Sequence, residues 1–161
     1  MVSEVVSASI TRPTDTTQYG VGEVIDAATG AGITFVDVVR TPGAKGVITG
    51  AAIIDSANQS TKPSIELWLF NAPLTAYDND NAVFTPTDAD LANRVGVITF
   101  PNTFVGDATS GASGNAVYQS DQIVLPFETV TRALYGVLVV RNAYTPVSAE
   151  IFTVQLQILQ D

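Results

Sequence analysis

An all-β fold, a two-sheet antiparallel β-sandwich of jelly-roll type, is what this sequence predicts. Three observations carry that prediction. Turn-forming residues recur about every ten positions, the runs between them favour strand over helix, and helical periodicity is nearly absent. An immunoglobulin-like sandwich is the second choice, and the chain has no Cys…Trp…Cys framework to favour it. Residues 1–161 are expected to form a single domain, because a chain of this length buries enough surface for a real core without staples.

The elements follow in order. Val2–Ile10 is the first strand candidate, and residues 1–18 read as an N-terminal strand or arm. Pro13 forces Arg12 out of the helical region. Thr14, Asp15, Thr16 and Thr17 are turn formers, and Gly20 and Gly22 permit tight bending. Tyr19–Asp26 and Ile33–Arg40 are the next strands, the latter ending at Thr41-Pro42-Gly43. In Gly46–Ala57 the Gly50-Ala51-Ala52 sequence suggests a bulge or a close backbone approach.

Ser64–Asn71 is the clearest buried strand. Ile65, Leu67 and Leu69 point one way, Trp68 and Phe70 the other, so cover is expected on both sides. That cover is a second sheet and either a neighbouring subunit or a long loop of the same chain. Val95–Phe100, Val117–Leu125, Leu134–Arg141 and Ala149–Leu159 complete the set. The last alternates: Phe152, Val154, Leu156 and Ile158 on one face, Thr153, Gln155 and Gln157 on the other. At most one short helix is expected, near 88–93, opened by a capping box in which Asp90 replaces the usual Glu after Thr87. The connection 72–93 is long, which marks a functional or mobile loop. The stretch 106–115 is small, polar and glycine-rich, and reads as an exposed tip open to proteolysis.

Composition narrows function. Cysteine and histidine are both absent, which removes thiolate and histidine catalysis and most transition-metal sites. Sixteen acids against seven bases give a formal charge of −9, which repels phosphate and argues against a nucleic-acid partner. No stretch is apolar enough for a bilayer span, so no membrane partner is expected. The first residues show no basic, apolar secretory leader, and synthesis in the cytoplasm is expected.

Few residues carry chemistry. Asp78, Asp80, Asp88 and Asp90 are oxygen donors on one loop and are weak calcium candidates. Val83 stands where a calcium loop needs glycine, and Ala89 where it needs the closing glutamate. Glu66 beside Trp68 would have a raised pKa if buried as half of a glycosidase pair. The stronger reading pairs it with an arginine. Tyr77, Tyr118 and Tyr144 near loops are candidates for stacking on sugars or for protein contacts. Arg12, Arg40, Arg94, Arg132 and Arg141 each fall at an element end, where they can fork onto carboxylates within or between subunits. Asn58-Gln59-Ser60 matches the glycosylation pattern by chance. No enzyme is expected and no cofactor.

Four strings taken together, Arg12–Ile25 (RPTDTTQYGVGEVI), Leu67–Ala72 (LWLFNA), the acidic DNA and DAD at 80–82 and 88–90, and Tyr135–Pro146 (YGVLVVRNAYTP), resemble small virion structural proteins of tailed bacteriophages. The resemblance implies a capsid decoration, or cement, protein. Such a protein binds the outside of the assembled shell, with the major capsid protein as partner, often as a homotrimer. The family supplies no catalytic residues. Arg12, Asp15, Tyr19, Tyr77, Arg94 and Tyr144 are the expected interface residues. The alternative is a carbohydrate-binding sandwich module of a virion or tail accessory protein.

Overall fold

The computed structural model describes residues 1–105 and 114–161. Eleven described strands, β1 (Val2–Thr11), β2 (Val24–Ile25), β3 (Ile33–Val36), β4 (Lys45–Asp55), β5 (Ile65–Phe70), β6 (Arg94–Thr99), β7 (Asn102–Val105), β8 (Ala116–Ser120), β9 (Leu125–Glu128), β10 (Ala133–Val140) and β11 (Ile151–Gln160), surround one short helix, α1 (Asp88–Ala92). The pairing is nested and antiparallel throughout. β1 pairs with β11, β2 and β3 with β10, β4 with β8 and β9, and β5 with β6. The chain is thus a long doubled ribbon. Rolling it brings β11 against β4 and β10 against β5, which closes two sheets of order β1-β11-β4-β8-β7 and β2-β10-β5-β6. This is the jelly roll that the sequence predicts.

Alternation sets the core. Phe152, Val154, Leu156 and Ile158 of β11 are wholly buried, facing Leu67, Leu69, Leu134 and Leu138 of the other sheet's set. Strand β1 runs beside β11 from Val2 to Thr11, with Val6 and Ile10 turned into this core, so the N-terminal segment packs on its own sheet. The helix opens with the expected capping box: Thr87 and Asp90 satisfy each other's backbone N–H groups.

Several boundaries differ from expectation, each for a local reason. The strand expected over Ile33–Arg40 stops at Val36, because Asp37 takes a left-handed φ of 59°. Val38 and Val39 stay in the core without joining the ladder. The strand expected over Val117–Leu125 is two strands, broken where Gln122 has φ 58°. Of Tyr19–Asp26 only Val24–Ile25 forms a ladder, and Tyr19 makes an isolated bridge to Tyr144. The last strand starts at Ile151, after Ala149 at φ 54°. The bulge falls one residue early, at Thr49, opposite the Gln157–Ile158 step. Of the expected exposed tip at 106–115, residues 106–113 lie outside the described residues.

The long connection answers what covers β5. Leu74 is buried against Val24, Phe70, Val137 and Val139, and Trp68, Tyr77, Phe84 and Tyr135 pack around them. Backbone bonds anchor this cover: Val24 N–H to the Ala82 carbonyl at 2.9 Å, Asn81 N–H to Val24 at 3.0 Å and Phe84 N–H to Gly22 at 2.9 Å. Gly32, at φ 58°, lets Tyr77 lie against the backbone; a Cβ there would come within 2.2 Å of the tyrosine ring.

Candidate functional site

Four buried ionisable residues, Arg12, Asp26, Asp55 and Glu150, gather toward one end of the sandwich. Pro13 ends β1, and the side chain of Arg12 beside it is fully buried. Its guanidinium meets Asp80 at 2.9 Å and Asp15 at 3.5 Å, and its Nε donates to the Tyr19 hydroxyl. Tyr19 in turn donates to Asp80, which also accepts the Asp26 N–H at 3.0 Å. Burial, then the Asp80 carboxylate, raises the Tyr19 pKa and keeps the phenol protonated. Arg12 therefore ties the exit of β1 to the loop that covers the second sheet. Asp26 pins the same region by accepting N–H groups of Ala27, Ala31 and Gly32.

A stacked ring pair links this cluster to a second one. Tyr19 and Tyr144 lie 6.3 Å apart with planes 9° from parallel. Tyr144 donates its hydroxyl to Glu150, whose other oxygen accepts the Val147 N–H at 2.8 Å. Asp55, at the end of β4, accepts the Ala57 N–H at 2.8 Å and the Tyr118 hydroxyl at 3.3 Å. Asp55 and Glu150 are each 1% exposed. Burial, then the hydrogen bond and charge of Glu150, push Asp55 up to about 8. Asp55 therefore favours its protonated form at neutral pH, deep in the protein.

The expected site residues divide accordingly. Arg12, Tyr19 and Tyr144, expected at an interface, are buried and hold the fold instead, because each polar tip finds an internal partner. Tyr118, a candidate sugar platform with Tyr144, is also core, 1% exposed. Tyr77 is half-buried within the loop cover. Asp15 and Arg94 reach solvent, and Arg94 lies over the Trp68 ring at 5.8 Å. The four loop aspartates do not converge. Asp78 accepts from Thr85 N–H and hydroxyl at 2.8 and 3.0 Å, and Asp80 is bound to Arg12. Asp88 is exposed in the first helical turn. Asp90 caps Thr87 and Thr75, hydrogen bonds that lower it to about 2.

Glu66 is paired as the stronger reading expects, 2.6 Å from Arg141, and accepts from the Trp68 indole at 3.0 Å. Partial burial acts upward on it, but these bonds outweigh that and hold its carboxyl below the ordinary value. Arg132 pairs with Asp37 at 2.6 Å. Asp26, Asp55 and Glu150 carry no motif. Their signal was phase: Asp55 continues the inward series Ala51, Ile53, and Glu150 precedes the inward series Phe152, Val154.

The surface offers different chemistry. The outward positions of β1, β11, β4, β8 and β7 are serine, threonine, glutamine, asparagine and aliphatic residues, with Phe104 54% exposed on β7. Charge enters only at the rim, as the Lys45–Glu128 pair at 3.5 Å and as Asp121 and Asp161. Where the chain ends meet, an open groove of about 430 Å³ has an apolar floor of Met1, Val47, Pro126, Phe127 and Leu159, with the charged Lys45, Glu128 and Asp161 also lining it.

No protein-family model matches the chain, and no curated protein matches it. Two solved structures resemble its overall course. A chain of the capsid asymmetric unit of cyanophage Pam1 aligns with 98% of this chain and 84% of its own length, at 13% identity and a TM-score of 0.39. A chain of the maize chlorotic mottle virus particle aligns with 98% of this chain and 91% of its own, at 12% identity and a TM-score of 0.30. At these scores neither likeness bears on what this chain does, and the jelly roll rests on the strand pairing itself.

Proposed function

We propose that the chain is a non-enzymatic structural protein of a bacteriophage virion, one that decorates the capsid exterior and stabilises the shell. The observation that carries this reading is where the ionisable groups sit. The two described clusters brace the fold from within, while the broad outer sheet face is uncharged and reactive groups are absent from it. Such a molecule acts through shape and contact area. The resemblance of four strings to small tailed-phage virion proteins suggests the setting: the major capsid protein as partner, synthesis in the host cytoplasm, residence on the outer shell. With a formal charge of −9 the chain is unsuited to packaged DNA. The carbohydrate-binding alternative loses its support, since two of its three tyrosines are interior.

The test uses undecorated heads of the phage that encodes the chain. Purified protein is expected to co-sediment with them and to raise the temperature at which they rupture. Failure of both would remove the proposal.

A further inference from the structure

The outer face of the β1-β11-β4-β8-β7 sheet is the most unusual surface of the molecule. Surfaces of small domains carry roughly 25–35% charged residues. Here five adjacent strands present alternate residues to solvent, Ser3 to Thr11 on β1 and Ile151 to Leu159 on β11 among them, and among the described residues no charge falls inside the rim. On a chain of formal charge −9, the described acids lie elsewhere.

We infer that this face binds a second copy of the chain, sheet against sheet, about a twofold axis. Charge is the first reason. Two copies repel each other wherever their acids meet, and this is the broad face on which they can approach without placing acid against acid. Area is the second. Strands spaced about 4.8 Å apart and rising about 3.4 Å per residue make the face on the order of 600 Å² per copy. Two copies together would bury about 1,200 Å², just above the roughly 1,000 Å² total a specific interface needs. Shape is the third. Phe104 is an exposed aromatic on edge strand β7, in register through Val117 with Ile54 at one end of β4. The 430 Å³ groove lies diagonally opposite, at the Lys45–Val47 end of β4. A twofold axis lying in the plane between the two sheets, across the line that joins Phe104 to the groove, brings Phe104 of each copy toward the groove of the other, the self-complementary arrangement a closed dimer requires. A trimer would need two different patches meeting head to tail.

The inference stands apart from the proposed capsid role and is tested on the full chain alone. Sedimentation equilibrium from micromolar to millimolar concentration is expected to show monomer and dimer. Added salt should tighten the dimer, because it screens the like net charges, while the Lys45–Glu128 pair beside the groove is solvent-exposed and lies within one copy. Ile54→Lys places a charge within the face and is expected to weaken association by tenfold or more. Phe104→Ser, which changes only an exposed side chain, should do the same while leaving thermal unfolding unchanged. Val83→Lys, on the loop that covers the other sheet and 58% exposed, should leave the dissociation constant within about twofold. A monomer throughout, a trimer, a dimer indifferent to both Ile54→Lys and Phe104→Ser, or association that weakens with salt would each overturn the inference.

Discussion

The two sheets of this jelly roll share one core, and their outer faces are finished in opposite ways. The β2-β10-β5-β6 sheet is apolar on both sides. Phe70, Val137 and Val139 point away from the core and are buried all the same, because the 72–93 connection folds back over them. The β1-β11-β4-β8-β7 sheet alternates, mostly apolar within and a mixture of uncharged polar and aliphatic residues without, and no described loop covers it. A continuous apolar strand thus marks a sheet whose cover the chain supplies. A clean alternation marks a sheet left open, and here the missing charge says more than the residues present.

The largest effects come from what the two sheets share and from what ties the cover down. Phe152→Ala opens a cavity in the common core and should cost about 3–5 kcal/mol in denaturant unfolding. A near-neutral result would mean the inward register of β11 is wrong. Arg12→Ala should cost a comparable amount, about 3–5 kcal/mol, by leaving Asp80 buried without its cation. The two variants differ in where they act. Arg12→Ala should release the cover first, seen as faster hydrogen exchange at Asn81, Ala82 and Phe84 before the β11 amides respond. Equal protection loss in both places would show that the cover has no stability separate from the roll.

Next in size is a pH effect confined to the end where the clusters meet. Asp55 is near its ordinary value, about 4, when unfolded, and is pushed up to about 8 in the fold. The folded chain therefore holds an extra proton between those values. Its contribution is complete below pH 4, falls as pH rises, and is gone above about 8. Asp90, lowered to about 2, acts oppositely, contributing above pH 4 and losing that contribution only toward pH 2. Between pH 5 and 8 stability should consequently fall with rising pH, on the order of 1 kcal/mol per unit from this one proton. Asp55→Asn keeps the shape and should flatten that slope, measured by urea midpoints at several pH values. An unchanged slope would assign the titration elsewhere.

Much of this was legible in the residues. Alternation in Ala149–Leu159 and turn spacing pointed to the sandwich, and Thr87 with Asp90 to the one described helix. Strand ends were less legible, because Asp37, Gln122 and Ala149 adopt left-handed backbone that their residue types do not announce. Tyr19, Tyr144 and Arg12 were misjudged for a common reason. Amphipathic side chains near turns suit an exposed contact and a satisfied interior equally well, and only the fold places Asp80 and Glu150 within reach of them. Phase could have found Asp55 and Glu150, since both fall on inward positions. No pattern in the sequence could pair them, because they lie 95 residues apart along the chain and meet only when β11 is rolled against β4.

The sharpest comparison uses one substitution on both faces. Valine and threonine are nearly the same shape, so Val→Thr changes little but the hydroxyl. At Val139, wholly buried beneath the loop cover, that hydroxyl enters an apolar cluster and should cost about 1–3 kcal/mol. At Val5, 55% exposed on the open sheet, it meets water and should change stability by less than about 0.5 kcal/mol. Both residues lie in strands, so β propensity cancels and the difference reports cover alone. Urea midpoints at a concentration where the chain is monomeric should separate the two variants clearly. Equal costs at low concentration would mean the open face is covered within a single chain; a cost at Val5 that appears only as concentration rises would mean a second molecule covers it.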